Sequence, residues 1–525
     1  ATYFREYLRG QLNEWCRTHK KPESNEPYNL YKDGLKIYTT INSKMQAHAE
    51  QAVSEHLGGE LQGQFFEHWK GVKNAPFSRL SKKEIANSLN GDKRRSSRYN
   101  ILIGKECGNC GRRGNYISRI KDEGVAFFEC SADDCHFRNV VTPPDSIDAI
   151  FNRPVKMTVY SERGEIDTVM TPMDSIRYYK YFLHAGFMSM DPHTGHVKAW
   201  VGGINYKHFQ FDHVKLSKRQ VGSTFKPFVY TLAMDAKWSP CTKIPNVPVT
   251  FAQGEYGILK SWTPRNSGNE FNGLMLSLKF GLANSINSMT AYVMKNFGPT
   301  SVIRMAKNMG IQSDLDTVPS LCLGTSDLSV HEMVGAYSTF ANKGVWTQPL
   351  IVTRIEDSKG NVLEEFIPKR NEAMSEETAA LMLHMLQGVV SGVYDEEAEK
   401  RIGTAVRLRF KYKLRGQIAG KTGTTQNYSD GWFMGVTPNL VSGVWVGCED
   451  RAVHFRRLSL GQGANMALPV WALYMKKIYA DNSLDYSEED RFDIIPGDAM
   501  GVELNCTRYN FLQTNNLGDK PDPFD

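Results

Sequence analysis

Three short β-type runs near the C-terminal end constrain this chain's fold more than any other stretch: "QIAGKTGTTQ" (417–426), "GWFMGVTP" (431–438) and "LVSGVWVGCED" (440–450). Turn residues separate them, so they read as an antiparallel meander. A further hairpin lies far upstream in "HAGFMSMDPHTGHVKAWVGG" (184–203), where the turn-forming cluster Asp191-Pro192-His193-Thr194-Gly195 divides two apolar-alternating runs. Between hairpin and meander, "LMLSLKFGLANSINSMTAYVMKNFG" (274–298), "VHEMVGAYSTFANKGV" (330–345) and "SEETAALMLHMLQGVVSGV" (375–393) carry helical periodicity, the last behind Ser375 and two glutamates suited to a helix start. An early strand pair, late strands and helices between them imply an α+β fold. Both ends of one domain would complete an antiparallel sheet flanked by helices.

Upstream, "GLKIYTTIN" (34–42) reads as a strand, and "SKMQAHAEQAVSEHL" (43–57) as a helix behind an Asn42/Ser43 cap, with Met45, Ala49, Val53 and Leu57 on one face. At 525 residues, 41% apolar and 23% charged, the chain is globular and has room for roughly two to four domains. Its net charge of +6 is scattered, without the dense basic footprint of a nucleic-acid binder. No uncharged apolar stretch approaches the ~20 residues of a bilayer span, and "ATYFREYLRG" lacks the hydrophobic region of a signal peptide. The chain opens on an amphipathic segment without a methionine, as an excised piece of a longer protein would. The polar end "NNLGDKPDPFD" is expected to be disordered. Of nine cysteines, four fall between Cys107 and Cys135, while Cys16, Cys241, Cys322, Cys448 and Cys506 are far apart and odd in number. That is not the pattern of a disulfide-stapled secreted domain.

Chemistry concentrates in three short motifs. In "RQVGSTFKPFVY" (219–230), Ser223 and Lys226 share a helix face, so the amine can reach the hydroxyl. A lysine whose proton affinity is lowered by burial can serve such a serine as base. The spacing alone means little, since Ser118 and Lys121 repeat it in a strand-like stretch between cysteine pairs. In "GLANSINSMTAY", Ser285 and Asn287 supply a hydroxyl for proton relay and an amide for holding a substrate, although Ser88-Leu89-Asn90 and Ser267-Gly268-Asn269 match the same pattern. Lys421-Thr422-Gly423-Thr424 occurs once, on an apolar strand. There the glycine would let a substrate backbone approach, and the lysine and threonines could bind a carboxylate. All three motifs in this order form the set of the penicillin-recognising serine enzymes.

With "GLKIYTTIN", "SWTPRNSG", "LCLGTSDLSVHEMVGAYSTFANKGV" and "GKTGTTQNYSDGWFMG" added, the chain from about Gly34 to Tyr479 resembles the transpeptidase domain of class A penicillin-binding proteins, most closely the Bacteroidetes type. The resemblance implies a penicillin-binding transpeptidase, serine β-lactamase-like fold with Ser223 at the start of a buried helix. It implies Ser223 as nucleophile, Lys226 as its base, Ser285 as proton shuttle, Asn287 as substrate amide binder, and Lys421, Thr422 and Thr424 as the carboxylate-binding strand around Gly423. The N–H groups of Ser223 and Thr424 would form the oxyanion hole, and Trp262 and Asn266 would border the cleft. The implied reaction is peptidoglycan D,D-transpeptidation, with β-lactams stalling on Ser223; a D,D-carboxypeptidase, a β-lactamase-like hydrolase and a non-catalytic penicillin-binding sensor are the alternatives. Catalysis would need no cofactor. Partners would be stem peptides, β-lactams and other cell-wall synthesis proteins, on the periplasmic side of the inner membrane, with the membrane reached only through an N-terminal anchor outside this chain. The family's glycosyltransferase domain is not found in this sequence.

On this reading, residues 1–33 are a linker remnant, 34–100 and 143–485 the transpeptidase domain with its N-terminal linker region, 101–142 an insertion and 486–525 a C-terminal extension. The insertion, "ECGNCGRRGNYISRIKDEGVAFFECSADDCHF" (106–137), sets Cys107 and Cys110 against Cys130 and Cys135 across a hairpin-like spacer. It resembles a zinc ribbon, whose four thiolates close a tetrahedral structural site, with His136 adjacent. A pair of disulfides is the alternative, favoured by an oxidising periplasm.

Overall fold

The computed structural model describes residues 1–495 and 500–515; the tail expected to be disordered lies outside these residues from position 516 on. The chain divides into two compact units. One comprises residues 1–57, 184–447 and 455 onward; the other comprises residues 58–183 and 448–454.

The first unit is built on a five-stranded sheet in the spatial order Ala419–Thr424, Asp430–Val436, Val441–Cys448, Leu183–Met190, Val197–Val201. The meander and the upstream hairpin thus join in one sheet, as their patterns predict, and each of these segments pairs antiparallel with its hairpin neighbour. The strands Leu183–Met190 and Val441–Cys448 are buried at every position, so both of their faces are covered, although the first reads in sequence as an alternating run. Successive residues point to opposite faces of a strand, and helices cover both. Met434 and Gly443 face Val334 in the helix Val330–Ala341, whereas Gly435 lies against Trp471 in the helix Leu468–Ala480. The Asp191 turn is fixed by its own carboxylate, which accepts the N–H groups of His193 and Thr194.

The expected helix starts are present with their caps. Asn42 accepts the N–H groups of Lys44 and Met45, and Ser375 accepts that of Thr378. Residues 1–33 do more than the linker expected of them. The helix Thr2–Thr18 buries Tyr3, Phe4, Leu8 and Leu12 in the core of the first unit, and Tyr7 stacks on Trp200 with ring centroids 5.0 Å apart.

The second unit holds the helices Gln62–Trp69, Lys82–Arg95, Pro144–Asn152 and Pro172–Tyr179, the hairpin Val155–Ser161/Gly164–Met170, and the Cys-rich insertion with its three-stranded sheet. Within it, buried Lys180 sits between Asp92 (2.9 Å) and Glu449 (3.1 Å). This boundary was not drawn from the sequence, because residues 43–69 are helical throughout, by way of a π-helical turn at Leu57–Leu61, and no linker composition marks the change.

The cysteine reading needs a correction as well. Cys241 and Cys506 form a disulfide across 265 residues of sequence, which spacing alone could not reveal. It ties the C-terminal helix Cys506–Asn515 to the main unit, where the Ser239 hydroxyl also donates to the Glu503 carbonyl at 2.7 Å. Replacing both cysteines with serine is expected to cost about 2–4 kcal/mol, read as a lower melting temperature, and to open the segment after residue 500 to proteolysis.

Candidate active site

Ser223 lies in the 3₁₀ turn Gly222–Phe225 that runs directly into the helix Lys226–Asp235. The following residues are apolar because this helix is buried on nearly all sides, from Lys226 through Tyr230. Lys226 itself has no exposure. Its Nζ donates to the Ser285 carbonyl and to Asn287 Oδ1, both at 2.6 Å. Burial in this apolar interior lowers its pKa to about 7, against a small opposing effect of the neighbouring Cys322.

Ser285 stands in the turn between the helices Leu278–Ala283 and Asn287–Asn308, not within a helix. Its φ of +58° is left-handed, a conformation that a non-glycine residue holds only when its surroundings enforce it. The enforcing contacts are the Ser285 N–H donating to the Leu282 carbonyl (3.2 Å) and the Lys226 amine on its own carbonyl. The side chain is thereby presented to Lys421, whose Nζ donates to Ser285 Oγ at 3.0 Å and to the Thr422 carbonyl at 3.0 Å. Lys421 is wholly buried, and desolvation, with the charge of Lys226 nearby, holds its pKa well below the usual lysine value.

Asn287 is held at both ends of its amide. Its Oδ1 receives Lys226, and its Nδ2 donates to the Arg265 carbonyl at 2.7 Å. Asn266, which sequence placed at the cleft border, makes a different kind of contact. Its Oδ1 accepts the N–H groups of Asn287 and Ser288, each at 3.0 Å, so it caps the helix that begins at Asn287. Trp262 pairs through its backbone with Phe251.

Lys421, Thr422, Gly423 and Thr424 lie on the strand Ala419–Thr424, at the edge of the sheet. Thr422 Oγ1 donates to Thr404 Oγ1 at 2.8 Å, and Thr424 Oγ1 accepts the Gly463 N–H at 2.9 Å. The structure gives a reason for glycine at 423 within the protein itself. A Cβ there would meet the protein's own Val221 carbonyl oxygen at 2.7 Å and Thr224 Cγ2 at 2.9 Å. The close approach is between strand and serine turn. Gly222 repeats the point from the other side, with φ +53° and its would-be Cβ 2.7 Å from the Thr424 carbonyl oxygen.

Several supporting residues escaped the motif reading. Tyr337 donates its hydroxyl to the Thr224 carbonyl at 2.6 Å. Fully buried Asp430 accepts Arg219 Nε at 2.7 Å and Trp445 Nε1 at 3.0 Å, linking the approach to the serine turn with the sheet. Arg219 and Asp430 lie inside quoted motif stretches, but nothing in their spacing signals the pairing.

A serine one turn ahead of a buried lysine, a second serine met by that lysine at its carbonyl and by another lysine at its hydroxyl, and an edge strand pressed against the serine turn define a serine acyltransferase-type site. The comparisons with known proteins agree. Residues 185–446 match the penicillin binding protein transpeptidase domain, and residues 139–183 the penicillin-binding protein middle domain. The chain is 30% identical over 358 residues to penicillin-binding protein 1A of Aquifex aeolicus, covering 66% of this chain and 47% of that protein. It is 27% identical over 538 residues to penicillin-binding protein 1A of Rickettsia prowazekii, covering 98% and 63%. The chain therefore spans less than two thirds of the length of these relatives. Its fold is similar to the crystal structure of penicillin-binding protein 1A from Haemophilus influenzae, with a TM-score of 0.61 at 21% identity, over 93% of this chain and 71% of that one. It is also similar to PonA1 of Mycobacterium tuberculosis in complex with penicillin V, with a TM-score of 0.54 at 18% identity, over 94% of each. The chain belongs to the penicillin-binding protein transpeptidase family.

The cap predicts a separable effect. Asn266→Ala should cost about 1–2 kcal/mol of stability and slow acylation of Ser223 by a fluorescent penicillin at least about tenfold, with folding retained. An unchanged labelling rate would show that the cap does not position Asn287.

Proposed function

We propose that this chain carries out peptidoglycan D,D-transpeptidation through an acyl-enzyme on Ser223. The observation that carries this reading is the setting of the Lys226 amine. A neutral lysine has two N–H donors and one lone pair, and both donors are engaged by the Ser285 carbonyl and Asn287 Oδ1. The lone pair is left to accept the Ser223 proton.

The reaction then runs in two halves. Ser223 Oγ attacks the carbonyl carbon of the D-Ala-D-Ala amide as its proton passes to Lys226 Nζ. The negative oxygen of the tetrahedral intermediate is held by the N–H groups of Ser223 and Thr424, each such donor supplying roughly 3 kcal/mol. As the C–N bond breaks, Lys226 passes that proton by way of Ser285 Oγ to the leaving nitrogen, and terminal D-Ala departs. An amine of a neighbouring stem attacks the ester and gives its proton to Lys226, neutral again, which returns it to Ser223 Oγ as the ester C–O bond breaks. Asn287 Nδ2 and the edge strand Ala419–Thr424 support binding of an extended peptide by strand addition, with Lys421, Thr422 and Thr424 towards its carboxylate. A β-lactam would acylate Ser223 and stay.

We place this reaction in the periplasm. The Cys241–Cys506 disulfide supports an oxidising compartment. Among the described residues, no helix is long and apolar enough to cross a membrane.

Incubation with a fluorescent penicillin followed by a denaturing gel tests the reading. Wild type should label and Ser223→Ala should not; equal labelling would refute the assignment. Rapid loss of label would favour a hydrolase, and stable label without cross-linking of stem peptides a sensor. A base with a pKa of about 7 is neutral above that pH and protonated below it. The acylation rate should therefore climb with pH through a midpoint near 7, and a flat profile between pH 5 and about 9 would exclude Lys226 as the base.

A further inference from the structure

The insertion between residues 101 and 142 carries too little apolar matter to hold its shape. Its buried cluster consists of Cys107, Cys130 and Ala132, with Ile117 and Cys135 packed against them. Large side chains that could have built a core stand at the surface: Tyr116, Val125, Phe137 and Val140 are all exposed. A three-stranded sheet of this size, Ile117–Asp122, Val125–Cys130 and Arg138–Val140, needs a covalent or metal crosslink to stay folded.

At its centre the four cysteines converge. Their sulfurs all lie within 4.8 Å of one another, with Cys107–Cys135 and Cys110–Cys130 both at 3.6 Å. Zinc–thiolate bonds of about 2.3 Å place the sulfurs of a tetrahedron about 3.8 Å apart. The close pairs thus match the edges of one tetrahedron. They also join residues from opposite ends of the insertion, so the sulfurs share a single centre and are not grouped as two sequence-local pairs.

The backbone around them is built twice to one plan. In each half a glutamate precedes the first cysteine, a left-handed residue follows the second, and an arginine returns to the glutamate. Gly111 has φ +70° after Cys110, and Arg113 pairs with Glu106 at 2.6 Å. His136 has φ +47° after Cys135, and Arg138 pairs with Glu129 at 2.6 Å. The Cys107 N–H donates to the Arg112 carbonyl and the Cys130 N–H to the Phe137 carbonyl, both at 2.9 Å, closing each loop. Further N–H groups point at sulfur: those of Asn109 and Cys110 at Cys107 Sγ (3.4 and 3.5 Å), and Asn109 Nδ2 at Cys135 Sγ (3.4 Å). Donors aimed at sulfur suit thiolates that carry negative charge.

We infer that Cys107, Cys110, Cys130 and Cys135 bind one structural zinc ion that folds the insertion and takes no part in acyl transfer. Four thiols lose their protons to form the site, and no oxidant is required. Four protein ligands leave no open position for substrate.

The test uses the whole chain, purified under reducing conditions with zinc present. Metal analysis should find one zinc per chain, and cobalt exchange should give the thiolate charge-transfer and d–d absorption of a tetrahedral tetrathiolate. Cys107→Ser and Cys130→Ser should lose the metal and become cleavable by protease within 106–138, while Ser223 still labels with fluorescent penicillin. Cys135→His, which keeps a ligand, should retain zinc even if the serine variants fold poorly. Metal-free protein, iron in place of zinc, zinc retained by Cys107→Ser, or Cys107–Cys110 and Cys130–Cys135 disulfides in protein taken from its own compartment would overturn the proposal.

Discussion

The burial of the Lys226 amine is the constraint on which the rest of the active site depends. Holding a lysine whose pKa has fallen from its usual 10.5 to about 7 costs on the order of 5 kcal/mol at pH below 7. Between pH 7 and 10.5 the unfolded chain keeps a proton that the folded one has shed, so this cost shrinks as pH rises and is gone above 10.5. A protein that is marginally stable overall carries such a term only where a large apolar core offsets it. The first unit has that core, wrapped around the helix that begins at Lys226.

From that buried amine the neighbouring geometry follows. Two acceptors must meet its two donors, and both come from the short stretch around Ser285 and Asn287. The Ser285 carbonyl is turned to Lys226 while the same residue's hydroxyl meets Lys421, which a left-handed backbone allows. Asn287 can face the amine only if the start of its helix is satisfied by another group, and Asn266 fills that need. The strand Ala419–Thr424 has to approach the serine turn so closely that side chains are excluded at Gly222 and Gly423.

How much of this was legible in sequence depends on the range of the interaction. Hairpins and caps are local, so the Asp191 turn, the Asn42 cap and the Ser375 cap could be read from neighbouring residues. The three motifs were legible because each keeps its residues within one turn or one strand. The left-handed Ser285, the Asn266 cap and the Arg219–Asp430 pair join residues distant in sequence or depend on backbone angles, which spacing does not encode. The Cys241–Cys506 disulfide is the extreme case. The passage of the chain from the first unit into the second near residue 57 is hidden for the opposite reason: helical periodicity continues past it and leaves no compositional break.

The two lysines also bear on the direction of proton flow in the proposed reaction. Both are buried, and each meets the same residue, Lys226 at the Ser285 carbonyl and Lys421 at its hydroxyl. Like charges in one dry compartment repel, which is part of why Lys421 sheds its proton so readily. When Lys226 takes the proton of Ser223, its charge stands in the same dry compartment as the second amine. In the proposed reaction that same proton is passed on through Ser285 Oγ to the nitrogen that leaves, which returns Lys226 to its neutral form for the second half. Acylation of the serine and protonation of the leaving group then share one proton, and Ser285, which meets both amines, lies on its path.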